Sequence, residues 1–160
     1  MRRLRSSLGR WLVAAVGALA LAASGCGGGG GVSSGAIVTV YVSVPLCAGA
    51  KRELARERGR AGSVRVRAAC LAETEKQGRL DLAAIGANAR RATQDSTTVA
   101  YLEPPNPAAA RFTHPILETA GIARISRSSG KAAMARLLQA IEAADTGSLR
   151  ESVREALRKT

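Results

Sequence analysis

The chain has 160 residues and a formal net charge of +12, from 24 Lys and Arg residues against 12 Asp and Glu residues. Apolar residues make up 46% of it, enough for a hydrophobic core, so the composition argues against wholesale disorder and predicts one domain. Aromatic residues make up only 2%, which argues against the stacking platforms that bind single-stranded nucleic acid. Arginine accounts for 20 of the 24 positive residues, as in GC-rich genomes, so we attribute part of the charge to codon usage and expect no nucleic-acid partner.

The N-terminal residues have the pattern of an export signal. A positive segment comes first, formed by Arg2, Arg3, Arg5 and Arg10. Residues 11–23 (WLVAAVGALALAA) follow as an apolar run of 13 residues. A membrane-spanning helix needs about 20 residues, so this run predicts a secretory signal rather than a permanent anchor.

The residues after the apolar run, Ala23-Ser24-Gly25-Cys26, resemble the bacterial lipobox, whose cysteine is diacylated and becomes the first residue of the mature chain. The resemblance implies that residues 1–25 are a lipoprotein signal peptide and that lipid on Cys26 holds the protein on the extracytoplasmic face of the cell membrane. An ordinary secretory signal that is cleaved nearby is the alternative. Five consecutive glycines then favour a flexible tether over residues 26–36. Loss of the signal peptide leaves a net charge of +8.

The rest of the chain alternates predicted strands and helices. Segments rich in β-branched residues predict four strands, at residues 38–46, 64–71, 97–102 and 122–126. Helices are predicted at residues 48–60, after the cap Asp81, from Asn106-Pro107 to residue 120, after the cap Ser129, and after the cap Ser148. Such alternation requires right-handed crossovers and a parallel sheet. We therefore predict an α/β fold over residues 37–160, a doubly wound three-layer parallel sheet with strand order 2-1-3-4.

The three cysteines divide between two roles. Cys26 belongs to the lipobox, which leaves Cys47 and Cys70 as an even pair in an oxidising compartment. In the order 2-1-3-4 the first two strands are neighbours, and both cysteines then lie at the carboxyl ends of those strands. A Cα separation of ~4.4–6.8 Å permits a bond. We therefore predict a Cys47–Cys70 disulfide, with two free buried thiols as the alternative.

Residues 87–126 (ANARRATQDSTTVAYLEPPNPAAARFTHPILETAGIARIS) resemble type 1 periplasmic binding proteins, the branched-chain amino-acid receptors of ABC transporters. The matching pieces are residues 87–92, 95–102 and 115–122, which occur in the family's order. Typical members are roughly twice as long and close two lobes around a ligand. The resemblance therefore implies a single Rossmann-like lobe of the type 1 periplasmic-binding fold.

The positions that match the family's ligand loops are altered here. Glu103 places a negative charge near the expected ligand carboxylate, and Pro107 has neither a hydroxyl nor an amide hydrogen. The candidate ligand-binding residues implied by the resemblance are Glu103, Asn106, Ser126, Ser128 and Ser129. The serines also suit turns and helix capping, which is the alternative role. We expect weak or altered binding of an amino-acid-like solute, and Glu103 would favour a cationic one.

Two functions follow from these expectations. The first is a solute-binding-like lipoprotein reduced to one lobe, with an ABC permease as its partner. The alternative is a non-transport interaction or structural lipoprotein of the cell envelope, in which an open sheet edge or an exposed apolar face supports a homodimer. An enzyme is not expected, because His114 is the only histidine and the chain has no phosphate loop or metal-binding cysteine spacing. We therefore predict no catalytic residue, no metal and no cofactor.

The densest basic segment of the mature chain lies in the first predicted helix. Its members are Arg52, Arg56, Arg58 and Arg60, with Glu53 and Glu57 between them. Anionic lipid head groups attract basic surfaces on a lipid-anchored domain. We expect the remaining positive charge to include a membrane-facing surface.

Overall fold

A computed structural model describes residues 37–144 and 149–159 of the chain. The predicted signal peptide and tether, with Cys26, and the predicted cap Ser148 lie outside the described residues. The described residues form seven strands: β1 (Ile37–Val42), β2 (Arg60–Ala61), β3 (Val64–Cys70), β4 (Glu75–Lys76), β5 (Arg79–Leu80), β6 (Thr98–Glu103) and β7 (Ala123–Ser126). They also form five helices: α1 (Val44–Arg56), α2 (Leu82–Gln94), α3 (Pro107–Thr119), α4 (Gly130–Glu142) and α5 (Leu149–Lys159).

Five of the strands form the central sheet, in the order β2-β3-β1-β6-β7. The strands β3, β1, β6 and β7 run parallel, and β2 adds an antiparallel edge beside β3. The strands β4 and β5 form a separate hairpin. The predicted α/β class with a mostly parallel sheet is confirmed. The order 2-1-3-4 does not describe the whole sheet, because it has no place for β2.

Helices cover both faces of the sheet. Side chains alternate between the faces along each strand, so apolar strand residues form a core on each side. Val38, Val40 and Val42 of β1 belong to a core that includes buried residues of α1, α4 and α5. Tyr41 belongs to a second core, with buried residues of α2 and α3. The periodic apolar residues that predict α4 are buried in the first core: Met134, Leu137, Leu138 and Ile141.

Three helices begin at the capping residues that the sequence predicts. Asp81 accepts one hydrogen bond from the backbone of α2, at 2.9 Å. Asn106 accepts two from α3, at 3.0 and 3.1 Å, and Ser129 accepts one from α4, at 3.4 Å. These side-chain oxygens satisfy first-turn amides that have no partner inside a helix. The starts of these helices are therefore determined locally.

The first strand is shorter than predicted. β1 ends at Val42 and α1 begins at Val44, so Pro45 lies in the first turn of a helix instead of ending a strand. Proline is tolerated in a first turn because its missing amide hydrogen would have had no helical partner. Cys47 consequently lies on α1 and not at a strand end.

The hairpin of β4 and β5 was not predicted. Gln77 and Gly78 connect the two strands and have φ angles of 52° and 73°. Positive φ at both central residues is the geometry of a type I′ turn, which asparagine or aspartate usually begins. Glutamine at the first position explains why the sequence carries no clear hairpin signal here.

The backbones of α1 and α4 touch at Gly130. A Cβ atom on Gly130 would collide with the carbonyl oxygen of Leu46 and would lie 3.0 Å from the amide nitrogen of Ala50. A Cβ atom on Gly49 would lie 3.1 Å from the amide nitrogen of Lys131. Glycine therefore lets the first turns of the two helices lie side by side at the carboxyl ends of the strands.

We expect Gly130→Ala to lower the free energy of unfolding by about 3 kcal/mol, because the rigid backbone of α1 cannot move away from the added methyl group. The matched control is Gly86→Ala, where the nearest atom is the flexible Arg90 side chain. That change should be neutral or should stabilise the helix by up to ~1 kcal/mol. Urea denaturation measures both, and equal stability of Gly130→Ala and the unsubstituted protein would contradict the close contact.

Candidate functional site

The carboxyl ends of the parallel strands form the edge at which open α/β sheets bind ligands. Helices α1, α3 and α4 begin near this edge, each after a parallel strand. Cys47 in α1 and Cys70 at the end of β3 are joined by a disulfide, with their Cα atoms 5.8 Å apart. Since Val42 and Cys70 are partners in the sheet, the bond ties the start of α1 to the neighbouring strand. This is the pairing that the sequence predicts.

A cavity of about 80 Å³ lies at this edge. Its wall includes residues from the starts of α1 and α3, the end of β6 and the hairpin. The polar side chains of the wall are Ser43, Glu73, Thr74, Glu75, Tyr101, Glu103, Asn106 and Thr113. Small-molecule sites usually enclose about 300–1,000 Å³, whereas one water needs about 10–15 Å³. The cavity therefore fits a small polar group or a few waters.

Ser43, a residue of the cavity wall, has a buried hydroxyl. Ser43 is 7% exposed, and its Oγ atom has no hydrogen-bond partner among the described residues. Its amide donates to the carbonyl oxygen of Leu102 at 2.9 Å, which holds it in the wall. Its side chain forms no capping bond to α1. A buried hydroxyl without a partner costs about 1–3 kcal/mol, so a ligand group that reached it would recover that cost.

Glu103 is buried and already paired. The residue is 5% exposed, and its Oε1 atom accepts hydrogen bonds from Arg124 Nη1 at 2.7 Å and from the Thr113 hydroxyl at 3.2 Å. The charge of the carboxylate is therefore compensated inside the fold. The expectation that Glu103 offers a free negative charge to a cationic ligand is corrected by this placement.

Tyr101 keeps its proton in this environment. The residue is 2% exposed. Burial raises the pKa of its phenol far above the ordinary value of 10.0, and the nearby charge of Glu103 raises it further. A neutral phenol can both donate and accept hydrogen bonds, so Tyr101 adds polarity to the wall without charge.

Side-chain contacts hold the hairpin over one side of the cavity. The Asn88 side chain donates to the carbonyl oxygen of Ala72 at 2.9 Å and accepts from its amide at 3.3 Å. Lys76 forms an ion pair of 2.9 Å with Asp81. The hydrogen bond from the Ala84 amide, followed by that from Lys76, lowers the pKa of Asp81. The loop that follows β3 is thus fastened at both ends of the hairpin.

Two of the five candidate residues from the sequence line the cavity, namely Glu103 and Asn106. Asn106 uses its carbonyl oxygen to cap α3. The other three are exposed and lie outside the cavity wall: Ser126 is the last residue of β7, and Ser128 and Ser129 follow that strand. Ser129 caps α4, which is the alternative role considered for it.

Sequence reasoning missed Ser43, although a signal for it exists. Ser43-Val44-Pro45 places a capping type of residue before a proline, as Asn106-Pro107 does at the start of α3. Reading the apolar run through to residue 46 as one strand concealed that pattern.

Among the described residues, a larger cavity of about 410 Å³ lies between α4 and α5. No group of three His, Cys, Asp or Glu side chains among them is placed to hold a metal ion. His114 is exposed and lies 3.3 Å from Glu118, one turn further along α3. None of the described helices combines the length and apolar character that crossing a membrane requires.

No family model, curated protein or solved structure matches this chain.

We expect the disulfide to stabilise the fold by about 3 kcal/mol, because it closes a loop with a sequence separation of 23 residues in the unfolded chain. The double substitution Cys47→Ser with Cys70→Ser should remove this free energy of unfolding and therefore lower the urea midpoint. Reduction of the unsubstituted protein should reproduce that midpoint. If reduction left the midpoint unchanged, the bond would not be present in the folded protein.

We expect Glu103→Gln to destabilise the protein by about 2 kcal/mol, since it leaves Arg124 partly buried without its counter-charge. Adding Arg124→Met should recover part of that loss. Glu118→Gln, at an exposed pair, is the matched control and should change stability by less than ~0.5 kcal/mol. Thermal unfolding measures all three, and a neutral effect of Glu103→Gln would show that its charge is not structural.

Proposed function

We propose that this protein is an extracytoplasmic solute-binding-like lipoprotein, anchored by lipid on Cys26 and built as one lobe of the type 1 periplasmic-binding fold. In this proposal it is akin to the branched-chain amino-acid receptor of an ABC transporter and has weak or altered ligand binding. An amino-acid-like solute and an ABC permease are its partners. The observation that carries the proposal is the cavity at the carboxyl edge, whose wall includes Ser43, a buried residue with a hydroxyl that has no partner among the described residues.

The position of the cavity supports a carboxylate-bearing solute. Ser43 and Pro45 lie at the start of α1, and Asn106 and Ala109 lie at the start of α3, so two helix N-termini border the cavity. Helix N-termini carry partial positive charge and favour anions. The Ser43 hydroxyl adds a donor for a carboxylate oxygen.

Charge and size both oppose tight binding. Two exposed acidic side chains of the wall, Glu73 and Glu75, repel a carboxylate. The volume of about 80 Å³ is also well below the usual range for a site that buries most of a small ligand. We therefore expect a dissociation constant near millimolar, which corresponds to about 4 kcal/mol of binding free energy.

The second function, an envelope interaction or structural lipoprotein, has one specific observation in its favour. β7 is an edge strand of the central sheet among the described residues. Arg124, a charged residue of this strand, pairs with the buried Glu103 of the neighbouring β6 at 2.7 Å. An open edge strand is a template for pairing with a second copy or another envelope protein.

Isothermal titration of the purified chain with leucine, valine, arginine and acetate tests the first function. We expect weak binding of all four, because each carries a carboxylate, and Ser43→Ala should weaken it about tenfold because one hydrogen bond is lost. The same substitution should leave the free protein equally or more stable, since it removes a buried hydroxyl without a partner. Ser128→Ala, at an exposed position outside the wall, is the control and should change neither quantity.

Silence of every solute at millimolar concentration would refute the solute-binding proposal. Sedimentation of the same samples then examines the second function. A dimer would favour the envelope interaction, and a strictly monomeric profile would count against it.

A further inference from the structure

We propose that one edge of the central sheet docks on an anionic lipid surface. This basic edge consists of Arg60 in β2, Arg65 and Arg67 in β3, and Ile37 at the start of β1. The inference rests on the proposed lipid anchor at Cys26 and identifies which surface the anchor brings to the membrane.

The sheet register gathers these residues on one face. Arg60 and Arg65 are partners in the antiparallel pair of β2 and β3, and Ile37 and Arg65 are partners in the parallel pair of β1 and β3. Partners in register share a face of a sheet. Arg67 shows the same relation, because its Nη2 atom donates to the hydroxyl of its partner Thr39 at 3.0 Å. All three arginines are exposed, and Ile37 is 49% exposed.

The charges on the basic edge are only partly compensated. Arg67 lies 3.8 Å from Asp95. Neither Arg60 nor Arg65 forms an ion pair with a carboxylate of the described residues. Like charges that stand directly opposite each other across two strands destabilise the pair. An external anion that contacts both arginines would remove that repulsion.

Acidic side chains do lie nearby, on the other side of the sheet edge. Arg60 also borders a cavity whose wall includes Glu53, Glu57 and Glu142. The neighbouring residue Ala61 belongs to the core that faces α1 and α4, so Arg60 alternates to the opposite face. The carboxylates of this cavity therefore lie on the α1 and α4 side, and Asp95 compensates only part of the charge on the face that carries Arg65 and Arg67.

The position of the basic edge favours a lipid surface as its partner. Ile37 follows directly on residues 26–36. The chain from Cys26 to Ile37 can therefore span at most about 40 Å, which limits the distance of Cys26 from this edge. Arginines bind phosphate oxygens through two parallel hydrogen bonds. A bilayer presents several phosphates in one plane, which matches a row of arginines, and its interface accommodates the exposed side chain of Ile37. Anionic head groups attract basic residues held near them.

Site-resolved modification by 2,3-butanedione tests the contact in the full chain, anchored in vesicles of phosphatidylcholine alone or with phosphatidylglycerol. We expect Arg60 and Arg65 to react about fivefold more slowly when phosphatidylglycerol is present, and high salt should abolish the difference. Arg79 and Arg111, exposed near the other end of the molecule, should react alike in both vesicles. Equal slowing of all four arginines, or of none, would overturn the proposal.

Charge reversal provides an independent measurement. The full chain with Cys26→Ser is sedimented with the same two kinds of vesicle. Adding Arg60→Glu and Arg65→Glu should weaken the preference for phosphatidylglycerol roughly thirtyfold, and the glutamine pair at the same positions should give an intermediate loss. Arg79→Glu with Arg111→Glu changes the net charge equally and should have a much smaller effect. Identical losses for both glutamate pairs would show that net charge alone determines the preference, which would refute a specific basic edge.

The proposed lipid anchor and the proposed basic edge can be refuted separately. The mass of the purified unsubstituted chain shows whether Cys26 carries lipid. An unacylated chain that keeps the edge-dependent vesicle preference would refute the anchor and leave the contact surface intact. An acylated chain without that preference would refute the basic edge alone.

Discussion

The backbone contact between α1 and α4 at Gly130 determines how the carboxyl edge of this domain is built. No side chain larger than hydrogen fits there, because the space is occupied by the carbonyl oxygen of Leu46. The contact sets the first turns of the two helices side by side. The start of α1 in turn carries Ser43 in the cavity wall and Cys47 in the disulfide to β3. A change in the spacing of the helices would therefore reach the cavity and the disulfide together.

Contacts within the fold already engage the two cavity residues that the sequence proposed, Glu103 and Asn106. Arg124 and Thr113 occupy one carboxylate oxygen of Glu103, and Asn106 is bonded to two amides of α3. These groups stabilise the junction of β6, β7 and α3 and have little left to offer a solute. Ser43 differs from them, because its buried hydroxyl has no partner among the described residues. Unused polar groups in a cavity of about 80 Å³ are consistent with weak binding and not with tight capture.

The accuracy of the sequence predictions depends on the range of the interactions that decide each element. The caps Asp81, Asn106 and Ser129 were predictable, since each bonds to amides within three residues of itself. The end of β1 was missed because a run of apolar residues fits a strand and a buried helix start equally well. The edge strand β2 has two residues, too few for any periodicity, and exists because it pairs with β3.

The sequence by itself determined the alternation of strands and helices, the starts of three helices and the choice of Cys47 and Cys70 as a pair. These features depend on local hydrogen bonding, on side-chain periodicity and on the count of cysteines. Only the tertiary structure decided that Glu103 forms an ion pair with Arg124, that Ser43 lies in the cavity wall and that Arg60 stands opposite Arg65. Each of these depends on segments brought together by strand pairing and helix packing, and a linear pattern does not record which charges will then face each other.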